Sequence, residues 1–163
     1  MRPIRPEDAE RHRVFTLGLA PEDMRLRFFN VRRELPRSEL ARLVQIDYDR
    51  EMAFVALESQ ADGSLRTLGV VRAIADPDNV DAEFAIILAT DVQGQGLGQR
   101  LLDKMVRYLK AHGTQRLVAI VLSENIAMRD LATRSGFQLE AADDGDTSLR
   151  FVLALNATAS TAA

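Results

Sequence analysis

The spacing of apolar residues changes along the chain, and each change predicts a different kind of element. Up to residue 46 the apolar positions follow a helical period: Val14, Leu17 and Leu19, then Met24, Phe28 and Phe29, then Leu40, Leu43, Val44 and Ile46. This predicts three short helices. Each opens on a start signal with acids in its first turn, Pro6-Glu7-Asp8, Pro21-Glu22-Asp23 and Ser38-Glu39, where carboxylates suit the positive end of a helix. An extended stretch around Ile4 precedes them, bounded by Pro3 and Pro6.

From residue 52 the period shortens. Residues 52–58 (MAFVALE), 68–75 (LGVVRAIA) and 81–88 (DAEFAIIL) are short, apolar and rich in β-branched or aromatic side chains, with turn clusters at 61–64 and 76–79 between them. They predict an antiparallel meander. A glycine-rich turn at 93–98 then feeds an amphipathic helix over 97–112, with Leu101, Leu102, Met105, Val106 and Leu109 on one face and Gly113 just past its end. A strand at 117–122, a helix at 125–135 and strands at 137–140 and 149–155 follow. Strands first and strand-helix alternation afterwards make an α+β protein, a mixed, mostly antiparallel sheet with helices on its faces. The domain is expected to span 1–155, with the small polar stretch 156–163 as a disordered tail.

Composition narrows the function. With 163 residues the chain suits one domain. A net charge of -3, from 21 basic and 24 acidic residues, argues against a protein held by nucleic-acid phosphates. No cysteine is present, which removes thiol nucleophiles and zinc-thiolate sites, and His12 and His112 are too far apart in sequence for a local metal pair. No metal is expected. No apolar run approaches the roughly 20 residues of a membrane span, and the N-terminus lacks a secretory signal, so the cytoplasm is the expected compartment.

The segment Gln93-Gly94-Gln95-Gly96-Leu97-Gly98 lies between a strand and a helix, where backbone N–H groups converge at the positive end of the helix dipole. Glycine lets the backbone approach an anion and turn through positive φ. On spacing alone, a plain glycine turn is an equal reading. The dinucleotide fingerprint fails at Gln99 and Leu101, and the P-loop fails at Gln99 and Arg100.

Gln93, Gly96 and Gly98 do fit Q/R-x-x-G-x-G/A, and in this respect the chain resembles the GNAT superfamily of N-acetyltransferases. The helix opening at Asn125-Ile126-Ala127-Met128 and the closing Gly136-Phe137 extend the resemblance. Residues 20–29 (APEDMRLRFF), 41–57 and 75–88 are similar to the catalytic domain of bacterial protein lysine acetyltransferases that modify acyl-CoA synthetases, over roughly residues 2 to 155. The resemblance implies the GNAT fold, acetyl-CoA as co-substrate and a pyrophosphate loop at Gln93, Gly94, Gln95, Gly96, Leu97, Gly98, Gln99 and Arg100. It also implies a backbone donor for the thioester oxygen near Ile87, Leu88 or Ala89, and contacts to CoA from Asn125 and Met128. Asn125 reads equally well as a helix cap. Lys104, one turn beyond Arg100, reads as a solvated residue, and Phe28-Phe29 as core.

Acyl transfer to an amine needs a base, because a lysine amine of pKa ~10.4 is neutral in about one molecule in 10³ at pH 7, a deficit of roughly 4–5 kcal/mol. Glu83 is the carboxylate best placed by sequence: alternation puts Ala85 and Ile87 on its face, apolar company that would strengthen it as a base. An edge glutamate in water is the alternative reading of the residues. The resemblance puts Glu83 where the lysine-acetylating members keep their catalytic glutamate. Ala132 departs from the family, standing where a tyrosine often protonates the leaving thiolate. The expected activity is therefore transfer of acetyl from acetyl-CoA to a protein lysine by direct attack in a ternary complex, with no nucleic acid or membrane as partner. The alternatives are an acetyltransferase for a small amine and a non-catalytic acyl-CoA sensor.

Overall fold

The computed structural model describes residues 1–28, 36–140, 145 and 147–156. Seven strands, β1 (Arg2–Pro3), β2 (Glu51–Ser59), β3 (Leu65–Ala75), β4 (Asp81–Leu88), β5 (Arg116–Leu122), β6 (Gln138–Glu140) and β7 (Ser148–Ala154), form one sheet in the order β1-β2-β3-β4-β5-β7-β6. Every neighbouring pair is antiparallel except β4–β5. Five helices flank it: α1 (Ala9–Leu17), α2 (Pro21–Phe28), α3 (Arg37–Val44), α4 (Leu97–Ala111) and α5 (Ile126–Arg134). This is the mixed α+β sheet expected from the sequence. None of the helices among the described residues is long and apolar enough to cross a membrane. Phe29, most of the 142–146 loop and the stretch 157–163 lie outside the described residues, as does the side chain of Phe28.

Strand alternation divides the core in two. Odd and even positions of a strand face opposite sides of a sheet. Phe54, Val71, Ala73, Ala82 and Phe84 therefore pack with Leu101, Leu102, Met105 and Leu109 of α4 and Leu131 of α5. Ala53, Val55, Val70 and Ile87 pack on the other side with Phe15, Leu19, Met24 and Val44 of the N-terminal helical layer. The helical spacing of apolar residues on α4 thus finds its counterpart in the two-residue period of β2 to β4. Lys104 departs from its solvated reading, because its ammonium sits 4.9 Å from the centre of the Phe54 ring while its stem is half-buried.

Gly69 marks where α4 comes closest to the sheet. The β2–β3 register slips beside it, between Ala56↔Gly69 and Leu57↔Thr67. A Cβ on Gly69 would stand 2.6 Å from Leu88 Cδ2, 3.1 Å from Leu101 Cδ1 and 3.2 Å from the Ile87 carbonyl oxygen. Leu101 is fully buried and cannot retreat, so the methyl must push Leu88 aside. Gly69→Ala is expected to destabilise the fold by about 1–3 kcal/mol, as overpacking of a filled core does, read as a lower midpoint in thermal or urea unfolding.

Candidate active site

The parallel pair β4–β5 is short. Asp81, Ala82 and Glu83 pair with Arg116, Leu117 and Val118, and beyond Glu83 the strands part. A cleft of about 690 Å³ opens between them, well within the size of small-molecule sites. Residues 84–88 of β4 form one wall, and Ile120 and Val121 of β5 with Asn125 and Met128 form the other.

The direction of the β4 amides follows from hydrogen bonds at its two ends. The Ala89 N–H donates to the Leu68 carbonyl (2.8 Å), and the Asp76 N–H donates to the Asp81 carbonyl (2.8 Å). Odd-numbered residues of β4 therefore exchange bonds with β3. By the alternation of an antiparallel ladder, the even-numbered residues point the other way: the Phe84 N–H completes the Glu83–Val118 pairing with β5, and the N–H groups of Ile86 and Leu88 point into the cleft. Of the three residues expected near the carbonyl-polarising donor, Ala89 spends its amide on Leu68 and Ile87 turns its own toward β3, while the Leu88 amide faces the cleft, as does that of Ile86.

The mouth of the cleft is the glycine loop. Gly96, the residue before α4, sits at φ 84°, ψ 2°, and Gly94 at φ 76°. Both lie in the left-handed region that costs other residues roughly 1–2 kcal/mol. No side chain caps α4 and its first turn carries no acid, so neither a cap nor a first-turn carboxylate offsets the positive end of this 15-residue helix. Gln93, Gly94, Gly96, Gly98 and Gln99 line the cleft. The Gln93 amide donates to the Leu88 carbonyl and the Gln95 amide to the Asp91 carbonyl, both at 3.4 Å, bracing the loop. Gln99 ties α4 to the end of α5 through Ser135 (3.1 Å). Three members of the predicted loop do not line the cleft: Gln95, Leu97, which packs against the α4-side core, and Arg100, which is exposed.

Across the cleft, Asn125 is both a helix cap and a lining residue. Its Oδ1 accepts from the Met128 N–H (3.2 Å), capping α5, and the residue lines the cleft beside Met128. Ala132 points away from the cleft and is fully buried in the core.

The third wall was not legible in the sequence. Asp23, Leu26 and Arg27 of α2 line the cleft. Asp23 accepts from the Thr90 hydroxyl (2.7 Å), just beyond β4, and Arg25 donates to Glu124 (2.7 Å), just beyond β5. The helix is thus fastened to both arms of the fork. Only the arginine inside the run Leu26-Arg27-Phe28-Phe29 hinted at this, as a cation among apolar neighbours. Burial lowers the Arg27 guanidinium to about 10, the nearby Arg72 cation works in the same direction, and Glu83 opposes both.

Glu83 occupies the last paired position before the strands separate. It shares its face with Ala85 and Ile87, yet its side chain is exposed rather than enclosed, with Ile74 its cross-strand neighbour. The apolar seclusion expected from alternation is absent because no described element covers this end of β4.

Glycines at positive φ, an uncapped helix start and unpaired strand amides together fit one long anionic ligand with an amide-bearing arm. The loop and helix start would hold the pyrophosphate of acetyl-CoA, and the β4 edge would hold its pantetheine arm. These features define a CoA-dependent acyltransferase. Residues 1–138 match the model of the Acetyltransferase (GNAT) domain. Acetyltransferase PA5475 of Pseudomonas aeruginosa is 36% identical over 155 residues, which cover 95% of this chain and 83% of that protein. The chain belongs to the GNAT acetyltransferase family and is an acetyl-CoA-dependent N-acetyltransferase. The GNAT domain of PAT from S. lividans shares its fold, with TM-score 0.83, 23% identity, and 94% and 88% of the two chains covered. So does spermidine N-acetyltransferase from Vibrio cholerae in complex with CoA and spermine, with TM-score 0.72, 22% identity, and 94% of each chain covered.

Behind the Glu83 face of β4 lies a polar layer that titrates. His12 is buried and held down to about 4, first by burial and then by the Arg72 and Arg27 cations, with Asp8 opposing. Burial would raise Asp8, but hydrogen bonds from Arg2, Arg11 and the Arg5 N–H outweigh it and hold the carboxyl well below the usual range. Both are depressed in the folded state, so each contributes stability above its unfolded pKa and loses it as pH falls. The His12 window runs from about 6.5 down to about 4, a loss on the order of 3 kcal/mol, and the Asp8 window lies below it. Urea-unfolding midpoints are expected to fall between pH 6.5 and 4, and His12→Phe is expected to flatten that slope while leaving the steeper loss at lower pH.

Proposed function

We propose that this acetyltransferase modifies the side-chain amine of a protein lysine, with Glu83 as general base. The observation that carries the reading is the position of Glu83 at the apex of the fork, on the strand whose Ile86 and Leu88 amides point into the cleft. Acetyl-CoA supplies an activated thioester. Either the Ile86 or the Leu88 N–H, which stand about 7 Å apart along the strand, would hold the thioester oxygen where negative charge grows. Glu83 would accept the ammonium proton, directly or through one water, and the amine would then attack in a ternary complex, since the chain has no cysteine to carry the acyl group.

Exposure of Glu83 suits a large acceptor. In the free protein water solvates the carboxylate, and an acceptor docked over the fork would displace that water and strengthen the base at the moment of transfer. The leaving thiolate finds no tyrosine, because Ala132 lies in the core. With a thiol of pKa ~8.5, departure unprotonated at pH 7 forgoes only about 2 kcal/mol. Similarity in residues 20–29, 41–57 and 75–88 to lysine acetyltransferases of acyl-CoA synthetases supports a protein acceptor over a small amine.

Glu83→Gln is expected to lower kcat by at least ~10² while acetyl-CoA binds nearly as before. A variant that keeps wild-type kcat from pH 6 to 9 would remove Glu83 from the mechanism. Acetyl-CoA at 100 times its Kd should stabilise the protein by about 2.7 kcal/mol. Incubation with labelled acetyl-CoA and either an acyl-CoA synthetase or a panel of small amines separates the acceptors: label on the synthetase is expected, and label confined to the small amines rejects the lysine assignment.

A further inference from the structure

Directly behind β4, on the face that carries Glu83, a small cavity of about 20 Å³ is lined by His12, Thr16, Arg27 and Arg72 and by the apolar side chains of Val70 and Ile87. His12 is 5% exposed, and its Nδ1 has no hydrogen-bond partner among the described residues. A buried ring nitrogen left unpaired is costly, so an orphan of this kind calls for an occupant. The space is large enough for a water, and it offers the two to four polar neighbours that a buried water requires.

The chemistry of the wall selects the occupant. The guanidinium groups only donate, and the imidazole nitrogen donates or accepts according to tautomer, so the ligand must be able to do both. Thr16 gives its hydroxyl proton to the Arg13 carbonyl (2.9 Å), which leaves its oxygen free to accept. Arg72 is already committed to Glu51 (2.5 Å) and to the Leu43 carbonyl. Arg27 differs from the other polar residues in lining this cavity and the acyl-transfer cleft as well. A molecule seated here touches the back of Arg27, a cation that interacts electrostatically with Glu83.

We propose that a single resident water occupies this cavity, bonded to His12 Nδ1 and to the Arg27 guanidinium, and that it fixes the stance of Arg27 at the Glu83 end of the cleft. His12 is then a positioning residue acting through the water and Arg27, without touching substrate. The assignment of the water stands independently of the acceptor; its consequence for acceptor binding rests on the amine-transfer reading above.

High-resolution crystals of the wild-type protein are expected to show one solvent peak within about 3.2 Å of His12 Nδ1. A dry cavity, or a bromide peak there after a halide soak, overturns the proposal. In crystals of His12→Phe, which keeps the ring and deletes Nδ1, the Arg27 guanidinium is expected to leave its position. In solution the same variant should raise the acceptor KM about five- to tenfold, with acetyl-CoA Kd changed less than about twofold, and His12→Asn, which restores a polar partner, should recover most of the loss. An Arg27 that stays in place in His12→Phe, or equal KM effects in the Phe and Asn variants, refutes the positioning role. A wild-type protein that acetylates no amine would defeat the acceptor reading, while the density at His12 and the Arg27 position would still decide this one.

Discussion

The early end of the β4–β5 pairing is the constraint from which the rest of the site follows. A parallel neighbour would ordinarily absorb the N–H and C=O groups of Phe84, Ile86 and Leu88, and here β5 turns away after three residues. Gln93 reaches the Leu88 carbonyl, but the N–H groups of Ile86 and Leu88 and the carbonyls of Phe84 and Ile86 are left to water or to a ligand, because backbone polar atoms cannot stay unpaired out of water without a cost of kcal/mol each. The gap is held open by side chains that the core claims. Phe84 packs against Phe137 with ring centres 5.4 Å apart, and Leu88 is wedged over Gly69 and Leu101. The strands cannot close on each other without unpacking α4 and α5.

The two faces of the sheet are built for different work. The α4 side is almost wholly apolar, and it supports the wall and the mouth of the cleft. The side facing α1 to α3 buries Asp8, His12, Thr16 and Arg72, and the Arg27 and Glu83 charges stand at its margin. Each buried charge there is answered: Asp8 by Arg2 and Arg11, Arg72 by Glu51. Buried pairs of this kind add little net stability but fix geometry, because removing one partner strands the other. Stiffness at the acceptor end suits a reaction in which an amine must meet a thioester at a defined distance.

The fork also explains how the chain can dispense with a tyrosine on α5. The side chain at position 132 faces the core in this packing, and a small alanine fills it without strain.

Much of the architecture was written in local chemistry. The shift from helical to alternating spacing located the helical N-terminus, the meander and α4, since each period exposes one apolar face that must be covered. The run from Gln93 to Gly98 marked the turn into α4, readable from spacing as a plain glycine turn or an anion cradle, and the structure sets Gly94 and Gly96 at positive φ at the mouth of the cleft. Asn125 was legible as a cap for the same local reason. What the sequence could not fix were facts about pairs distant in the chain. Whether the amide of Ala89 or of Leu88 faces the cleft depends on the β3 register, and whether Glu83 is enclosed depends on what covers its end of β4. That α2 closes the third wall depends on Thr90 and Glu124, residues far from it in sequence. Periodicity assigned each residue a face of its own element; only the folded chain decided which faces meet, because register and docking are set by the packing of all the elements at once.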